Sequence, residues 1–147
     1  MIRLREFTER DAAVLQQKQM PGVPIEEIGD MIRGWQTKTY RGKRFEMYAM
    51  TEGDDAVGSV SLYARSGSIV SVGIEVFSEE RGKGYAEEGM KRILERAKDL
   101  GYRVIWDQVA ANNQPSIRLH EKLGFETDGT LYKNAKGREV LLYILCL

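Results

Sequence analysis

"SEERGKGYAEEGM", residues 78–90, sets two glycines and a basic pair directly before a segment of helical spacing. A glycine-rich turn feeding a helix suits an anion, because the free N–H groups of the first turn and the helix dipole both favour negative charge there. Phosphate-binding signatures differ in spacing, and spacing eliminates two of them. A P-loop needs Ser or Thr after Gly-Lys and a glycine where Phe77 stands, but Lys83 is followed by Gly84. A dinucleotide fingerprint needs a glycine where Glu87 stands, within an early strand–helix–strand unit. What is left is Arg81-x-x-Gly84-x-Ala86. Backbone N–H groups of residues 82–86 can converge on a phosphate if side chains stay clear, which Gly82, Gly84 and Ala86 allow, while Arg81 and Lys83 add charge. A basic surface turn that merely starts a helix is the plain alternative.

Outward from the turn, the periodicity alternates between strand and helix. Before it, Val70, Val72, Ile74 and Val76 share one face of a strand and leave Glu75 on the other. After it, Ala86, Met90, Ile93, Leu94, Ala97 and Leu100 form a helical stripe that stops at Gly101. Upstream lie a strand over Ile2 to Phe7, a helix after Thr8, a break at "PGVP" (21–24) and a second helical stretch over residues 25–41. "RFEMYAMT" (44–51), "AVGSVSLYA" (56–64) and "SIVSVGIEVF" (68–77) read as an antiparallel meander. Downstream come a strand "YRVIWDQVA" (102–110) and a short helix "PSIRLHEKL" (115–123) closed by Gly124. A strand pair, "FETDGTLY" (125–132) and "REVLLYILCL" (138–147), follows, joined through Lys136-Gly137. This order predicts one α/β domain over residues 1–147.

Composition narrows the function classes. Lys plus Arg number 22 and Asp plus Glu 22, so no overall field draws the chain to nucleic acid or anionic lipid, and neither is an expected partner. No apolar run reaches the ~18 residues of a membrane span, and Met1 to Phe7 read as a strand rather than a leader, so a cytoplasmic location is expected. The single Cys146 and single His120 exclude an internal disulfide, Cys-rich zinc sites and HExxH centres, and no metal is expected.

The loop Arg81-x-x-Gly84-x-Ala86, joined to "VGIEV" (72–76) before it and to Asn113, Ser116 and "EKLGF" (121–125) after it, resembles the GNAT superfamily of acyl-coenzyme A dependent N-acetyltransferases. The element order follows that family over nearly the whole chain. The tail "GFETDGTLYKNAKGREVLLYIL" (124–145) resembles the branch holding ribosomal-protein and polyamine acetyltransferases. The resemblance implies a GNAT fold with a mixed, mainly antiparallel sheet flanked by helices. It also implies acetyl-CoA as cosubstrate and acetyl transfer to a primary amine of a small molecule or peptide by direct attack. The cofactor contacts it implies are Ile74, Val76 and Phe77 along the pantetheine arm, Arg81, Gly82, Lys83, Gly84, Tyr85 and Ala86 around the pyrophosphate, and Asn113 and Ser116 beyond. An ordinary core strand accounts for the first group equally well, and helix capping is the plain role of Asn113. A non-catalytic acyl-CoA binding or sensing module is the rival function.

The family commonly supplies the acid for the departing thiolate as a Tyr at the position that holds His120 here. On a helical wheel His120 lies within the inward arc shared by Ile117, Leu119 and Leu123. Imidazole there is either the acid, with an ordinary pKa of about 6.5 below the thiol's 8.5 or so, or a buried structural group. Glu75 is the carboxylate nearest the expected thioester, although strand alternation turns it away unless a bulge re-aims it. Without a base, deprotonating a lysine-like amine at pH 7 costs about 4.6 kcal/mol, against about 1.4 kcal/mol for an α-amino group. Glu26, Glu27 and Asp30 either dock a cationic substrate or complement a helix dipole. Trp35 and Tyr40 read as core. The last strand is apolar on both faces, which makes a homodimer a further expectation.

Overall fold

The computed structural model describes residues 1–147. In chain order its elements are β1 (Ile2–Glu6), α1 (Ala12–Lys18), α2 (Ile25–Gln36), β2 (Thr39–Tyr40), β3 (Lys43–Glu52), β4 (Asp55–Ala64) and β5 (Ile69–Val76). They continue with α3 (Tyr85–Asp99), β6 (Val104–Ala110), α4 (Gln114–Lys122), β7 (Tyr132–Lys133) and β8 (Glu139–Cys146). Neighbouring strands follow the order β1-β3-β4-β5-β6-β8-β7, with β2 paired to β3. Only β5 and β6 run parallel, as the α3 crossover between them requires. The expected meander is β3-β4-β5.

Strand alternation divides the core between the two faces of the sheet. On one face Met50, Leu62, Val70, Ile105 and Tyr143 meet Met90, Ile93 and Ala97 of α3. On the other, Ala49 and Phe77 meet Leu15 of α1 and Ile28 and Ile32 of α2. Two glycines let the first layer close tightly. A Cβ on Gly89 would lie 2.1 Å from Met50 Sδ, and one on Gly58 would lie 2.1 Å from the Glu75 carbonyl. Gly58 sits beside a register shift between Met50 and Thr51. Helix α3 ends as its sequence predicts: Gly101 takes φ 90°, its N–H reaches Lys98 O and Tyr102 N–H reaches Ala97 O.

Three expectations need correction. The second helix ends at Gln36, not near residue 41, because Thr37 Oγ1 donates to Gly34 O at 2.7 Å and Lys38 and Arg41 adopt φ of 57° and 51°. The strand expected over 125–132 shrinks to a bridge at Glu126 and the two residues of β7. Between them, Gly129 and Thr130 N–H groups donate to Thr127 Oγ1 and Asp128 Oδ1, so side chains take the place of a ladder. The strand expected from residue 102 starts at Val104, since Tyr102 still belongs to the end of α3.

Candidate functional site

The β5–β6 pair holds for only two residue pairs, Ile69 with Val104 and Val70 with Ile105, and then the strands diverge. Backbone alternation sets what the divergence exposes. Val104 N–H donates to Ser68 O, so N–H groups of even-numbered β5 residues point toward β6, while Phe77 N–H points the other way, to Val57 O. Beyond Val72, the N–H groups of Ile74 and Val76 therefore face the gap instead of a strand.

This gap opens into a groove of about 830 Å³, within the usual range for small-molecule sites. One wall is the end of β5, Ile74 and Val76. The floor is the turn from Arg81 to Gly84 with the first turn of α3, Tyr85 and Ala86. The opposite wall is α4 and its approach: Asn113, Pro115, Ser116, Arg118 and Leu119. Gly82 and Gly84 hold φ of 79° and 82°, a region that side chains disfavour, and a Cβ on either would meet nothing within 4 Å. Backbone conformation requires these glycines, and the space over them is open to a ligand. Gly84 is the N-cap of α3 with no side-chain cap, so the first-turn N–H groups have no partner within the helix. Asn113 caps α4 by accepting from Ser116 N–H at 3.2 Å and also lines the groove. Across the mouth, Lys122 of α4 pairs with Glu87 of α3 at 2.9 Å.

Arg118 and Lys122 carry charge here that the motif alone does not point to. Their signal was helical spacing: Pro115, Arg118, Leu119 and Lys122 repeat at three and four residues and so share a face.

Other expected site residues lie at the edge of the groove or outside it. Phe77 is 2% exposed in the core beneath α1 and α2, and its N–H is already bonded to Val57 O, so it is withdrawn from the groove. Lys83 does not line the groove but pairs at 2.8 Å with Glu80, which does. Glu75 stays on the rim, about half exposed, with Arg81 Nη2 3.5 Å from its carboxylate. No register shift re-aims β5, so Glu75 keeps the outward direction that alternation assigns it. Arg81 also donates from Nε to Val76 O at 3.2 Å, bracing the turn against the strand.

His120 does face inward, but into the core and not the groove. It is 5% exposed, with Nδ1 2.8 Å from Ser116 O and Nε2 2.9 Å from Asp107 Oδ2. Phe125 stands edge-on at 4.7 Å and Tyr143 at 5.5 Å. Both ring nitrogens face acceptors, which calls for two N–H donors. Burial pushes the imidazole pKa down, but the Asp107 hydrogen bond, the Ser116 carbonyl and the Asp107 charge outweigh it and leave the pKa above its ordinary value. His120 does not line the groove, and both of its ring nitrogens are engaged by Asp107 and Ser116, an arrangement that matches the buried structural reading of this residue.

Fold and groove define a single α/β sheet domain with an open groove between two splayed strands and the N-terminus of a helix. The acetyltransferase (GNAT) domain profile matches residues 2–126, and the chain belongs to that family. A Bacillus subtilis protein described as an SPbeta prophage-derived uncharacterized N-acetyltransferase, YokL, is 29% identical over 130 residues, which is 86% of this chain and 72% of that protein. An L-methionine sulfoximine/L-methionine sulfone acetyltransferase of Pseudomonas aeruginosa is 31% identical over 93 residues; the match covers 57% of this chain and only 54% of that enzyme. In fold the chain is similar to RimL, a ribosomal L7/L12 alpha-N-protein acetyltransferase solved with coenzyme A. The TM-score is 0.86 at 18% identity, over 99% of this chain and 94% of that one.

Proposed function

We propose that this acetyltransferase domain moves the acetyl group of acetyl-CoA to an α-amino group of a small molecule or peptide by direct attack. The observation that carries the reading is the groove, which joins an unpaired stretch of β5, the glycine turn at the start of α3 and the capped start of α4. Pyrophosphate fits the N–H groups at Gly82 to Ala86 together with Arg81 and Arg118. The pantetheine arm runs along Ile74 and Val76 as a further strand would. The amine lone pair attacks the thioester carbon, a C–N bond forms, the C–S bond breaks, and the thiolate leaves. With His120 enclosed, the thiolate takes its proton from water. The amine loses its own proton to water, with Glu75 on the rim as the nearest carboxylate of β5. That economy favours an α-amino acceptor, whose deprotonation at pH 7 costs about 3 kcal/mol less than that of a lysine-like amine. Amino-acid derivatives and a protein α-amine in the relatives' names support the same class.

A cytoplasmic location and a homodimer belong to this proposal. No helix is long and apolar enough to cross a membrane. Leu141 and Leu145 of β8 pack on the core cluster, while Leu142 and Ile144 line a second groove with Trp106 and Tyr132 on the other face. Light scattering that gives a monomer mass at micromolar concentration would remove the dimer.

Calorimetry with coenzyme A and release of free thiol from acetyl-CoA, measured against a panel of amino acids, peptide N-termini and polyamines, test the function. Binding that is lost in a folded Gly84→Val variant, with turnover on α-amines, supports it. Turnover confined to polyamines overturns the acceptor class. Tight binding with no thiol release on any amine points to the sensing module instead.

A further inference from the structure

The divergence of β5 and β6 is produced by side chains. Continuing the parallel ladder past Val70 and Ile105, the next rung would run from Val72 N–H to Trp106 O. Neither group makes that bond. Val72 N–H donates to Asp107 Oδ1 at 2.9 Å, and Trp106 O accepts from Ser71 Oγ. A carboxylate and a hydroxyl have intercepted the two halves of one rung, at the level where the groove begins.

Asp107 is 3% exposed, and its other oxygen receives His120 Nε2–H at 2.9 Å. His120 in turn donates from Nδ1 to the carbonyl of Ser116, in the first turn of α4. One chain of hydrogen bonds thus runs from Val72 in β5 through Asp107 in β6 to Ser116 in α4, joining the two walls of the groove through its closed end. We propose that Asp107, held by His120, is the positioning residue that ends the β5–β6 ladder and sets the separation of the groove's two walls. Neither residue touches the ligand. The inference rests on the groove being the acyl-CoA site.

Substitutions at Asp107 divide this role from simple support of the fold. In Asp107→Asn, Oδ1 still accepts from Val72 N–H, and the amide N–H donates to the Nε2 of a neutral His120 whose Nδ1–H stays on Ser116 O. Every partner is kept, with the charge gone. In Asp107→Leu/His120→Leu, apolar groups replace the pair, which buried ion pairs often tolerate without loss of stability. Val72 N–H is then free to rejoin Trp106 O, so the fork closes by one rung.

The ionisable side chains facing the imidazole are Asp107 from β6 and Tyr143 from β8, and Tyr143 stays neutral through the pH range in question. Below its raised pKa the imidazole donates from both nitrogens. As pH rises through that pKa one donor is lost and the tie between Asp107 and Ser116 slackens.

The test measures coenzyme A affinity by calorimetry across pH for wild type, Asp107→Asn and the double leucine variant, with imidazole NMR of the chain's single histidine. Expected are affinity near wild type in Asp107→Asn without the alkaline decline, and an affinity about tenfold or more weaker in a stably folded double variant. The imidazole signal should show protonation persisting above the ordinary range in wild type and lost in Asp107→Asn. A folded double variant that binds as wild type does, or an Asp107→Asn variant as weak as the double variant, overturns the proposal. Failure of wild type to bind at all removes the groove's assignment instead. If the double variant does not fold, Asp107→Asn together with the pH profile decides: a flat wild-type profile with the imidazole titrating in the same range overturns it.

Discussion

Gly89→Ala exchanges a small gain in helix propensity for a collision in the layer beneath α3. In an exposed helix interior the change would stabilise by about 1 kcal/mol, through lower backbone entropy in the unfolded chain. Here the new methyl would sit 2.1 Å from Met50 Sδ, 3.5 Å from Met50 Cγ and 3.1 Å from Ile74 Cδ1. Carbon and sulfur need ~3.5–4 Å, so the gap must open by about 1.5 Å. Met50 has little room to swing, because it is 0% exposed within the core. Overpacking of this kind costs about 1–3 kcal/mol, which exceeds the propensity gain by roughly 1 kcal/mol at the midpoint. For a domain of this size the melting temperature should fall by about 2–4 °C. Ile74 is also a wall of the groove, so coenzyme A affinity should fall with it. Urea unfolding of wild type, Gly89→Ala, Met50→Ala and the double variant gives the assay. An unchanged m-value and a coupling of about 1 kcal/mol or more between the two sites would assign the loss to this contact. A Gly89→Ala protein as stable as wild type, with no coupling to Met50, would refute the packing argument.

Two further outcomes follow from single contacts. Arg118→Ala should weaken coenzyme A binding and flatten its salt dependence, because an exposed guanidinium on the α4 wall acts on phosphate largely through its charge; calorimetry at two ionic strengths checks it, and an unchanged salt slope would exclude Arg118 from the site. Asp11 sets an acid limit on stability: burial pushes its carboxyl up, but hydrogen bonds from Arg5 at 2.8 and 2.9 Å and from Thr8 N–H at 2.8 Å outweigh that and hold its pKa below the ordinary range. That stability is present above the unfolded-state pKa of about 3.9 and is lost as pH falls through the lowered value. Unfolding followed from pH 5 to pH 2 should therefore be shallower in Asp11→Asn than in wild type.

What the sequence disclosed and what it withheld divide by range. Helix α3 was legible at both ends because its signals are local: an apolar stripe, glycines at positions 84 and 101, and a turn that only small residues can make. The termination of α2 was not, since it uses Thr37 and a left-handed Lys38, residue types that ordinarily carry no stop signal. The segment from Glu126 to Leu131 has strand-like composition at its ends, but its Thr-Asp-Gly-Thr centre bonds to its own backbone first. For the groove, the loop glycines were readable from spacing, while Asn113 was readable as a helix cap and entered the groove only through the family resemblance. The fate of His120 was half readable: helical periodicity turns it inward, but whether inward means the groove or the core depends on Asp107, which arrives from another strand at a register that no local pattern encodes. Phe77 shows the same limit one residue past β5, where the apolar character that suits a cofactor wall equally suits the core beneath α2.

The two-rung contact between β5 and β6 leaves an unpaired strand edge inside the sheet. A strand edge with free N–H groups is a template for another chain, and proteins usually blunt such edges with charge, proline or a covering element. Beyond Val72, β5 has an edge of this kind in the middle of the sheet, where Glu75 is the one charged side chain on the strand itself. Protection comes from its surroundings: α4 stands opposite, the start of α3 closes the floor, and Lys122 reaches Glu87 across the mouth. Under the proposed function the pantetheine arm of acetyl-CoA lies along this edge, so the same unpaired amides that would recruit a strand serve the cosubstrate instead.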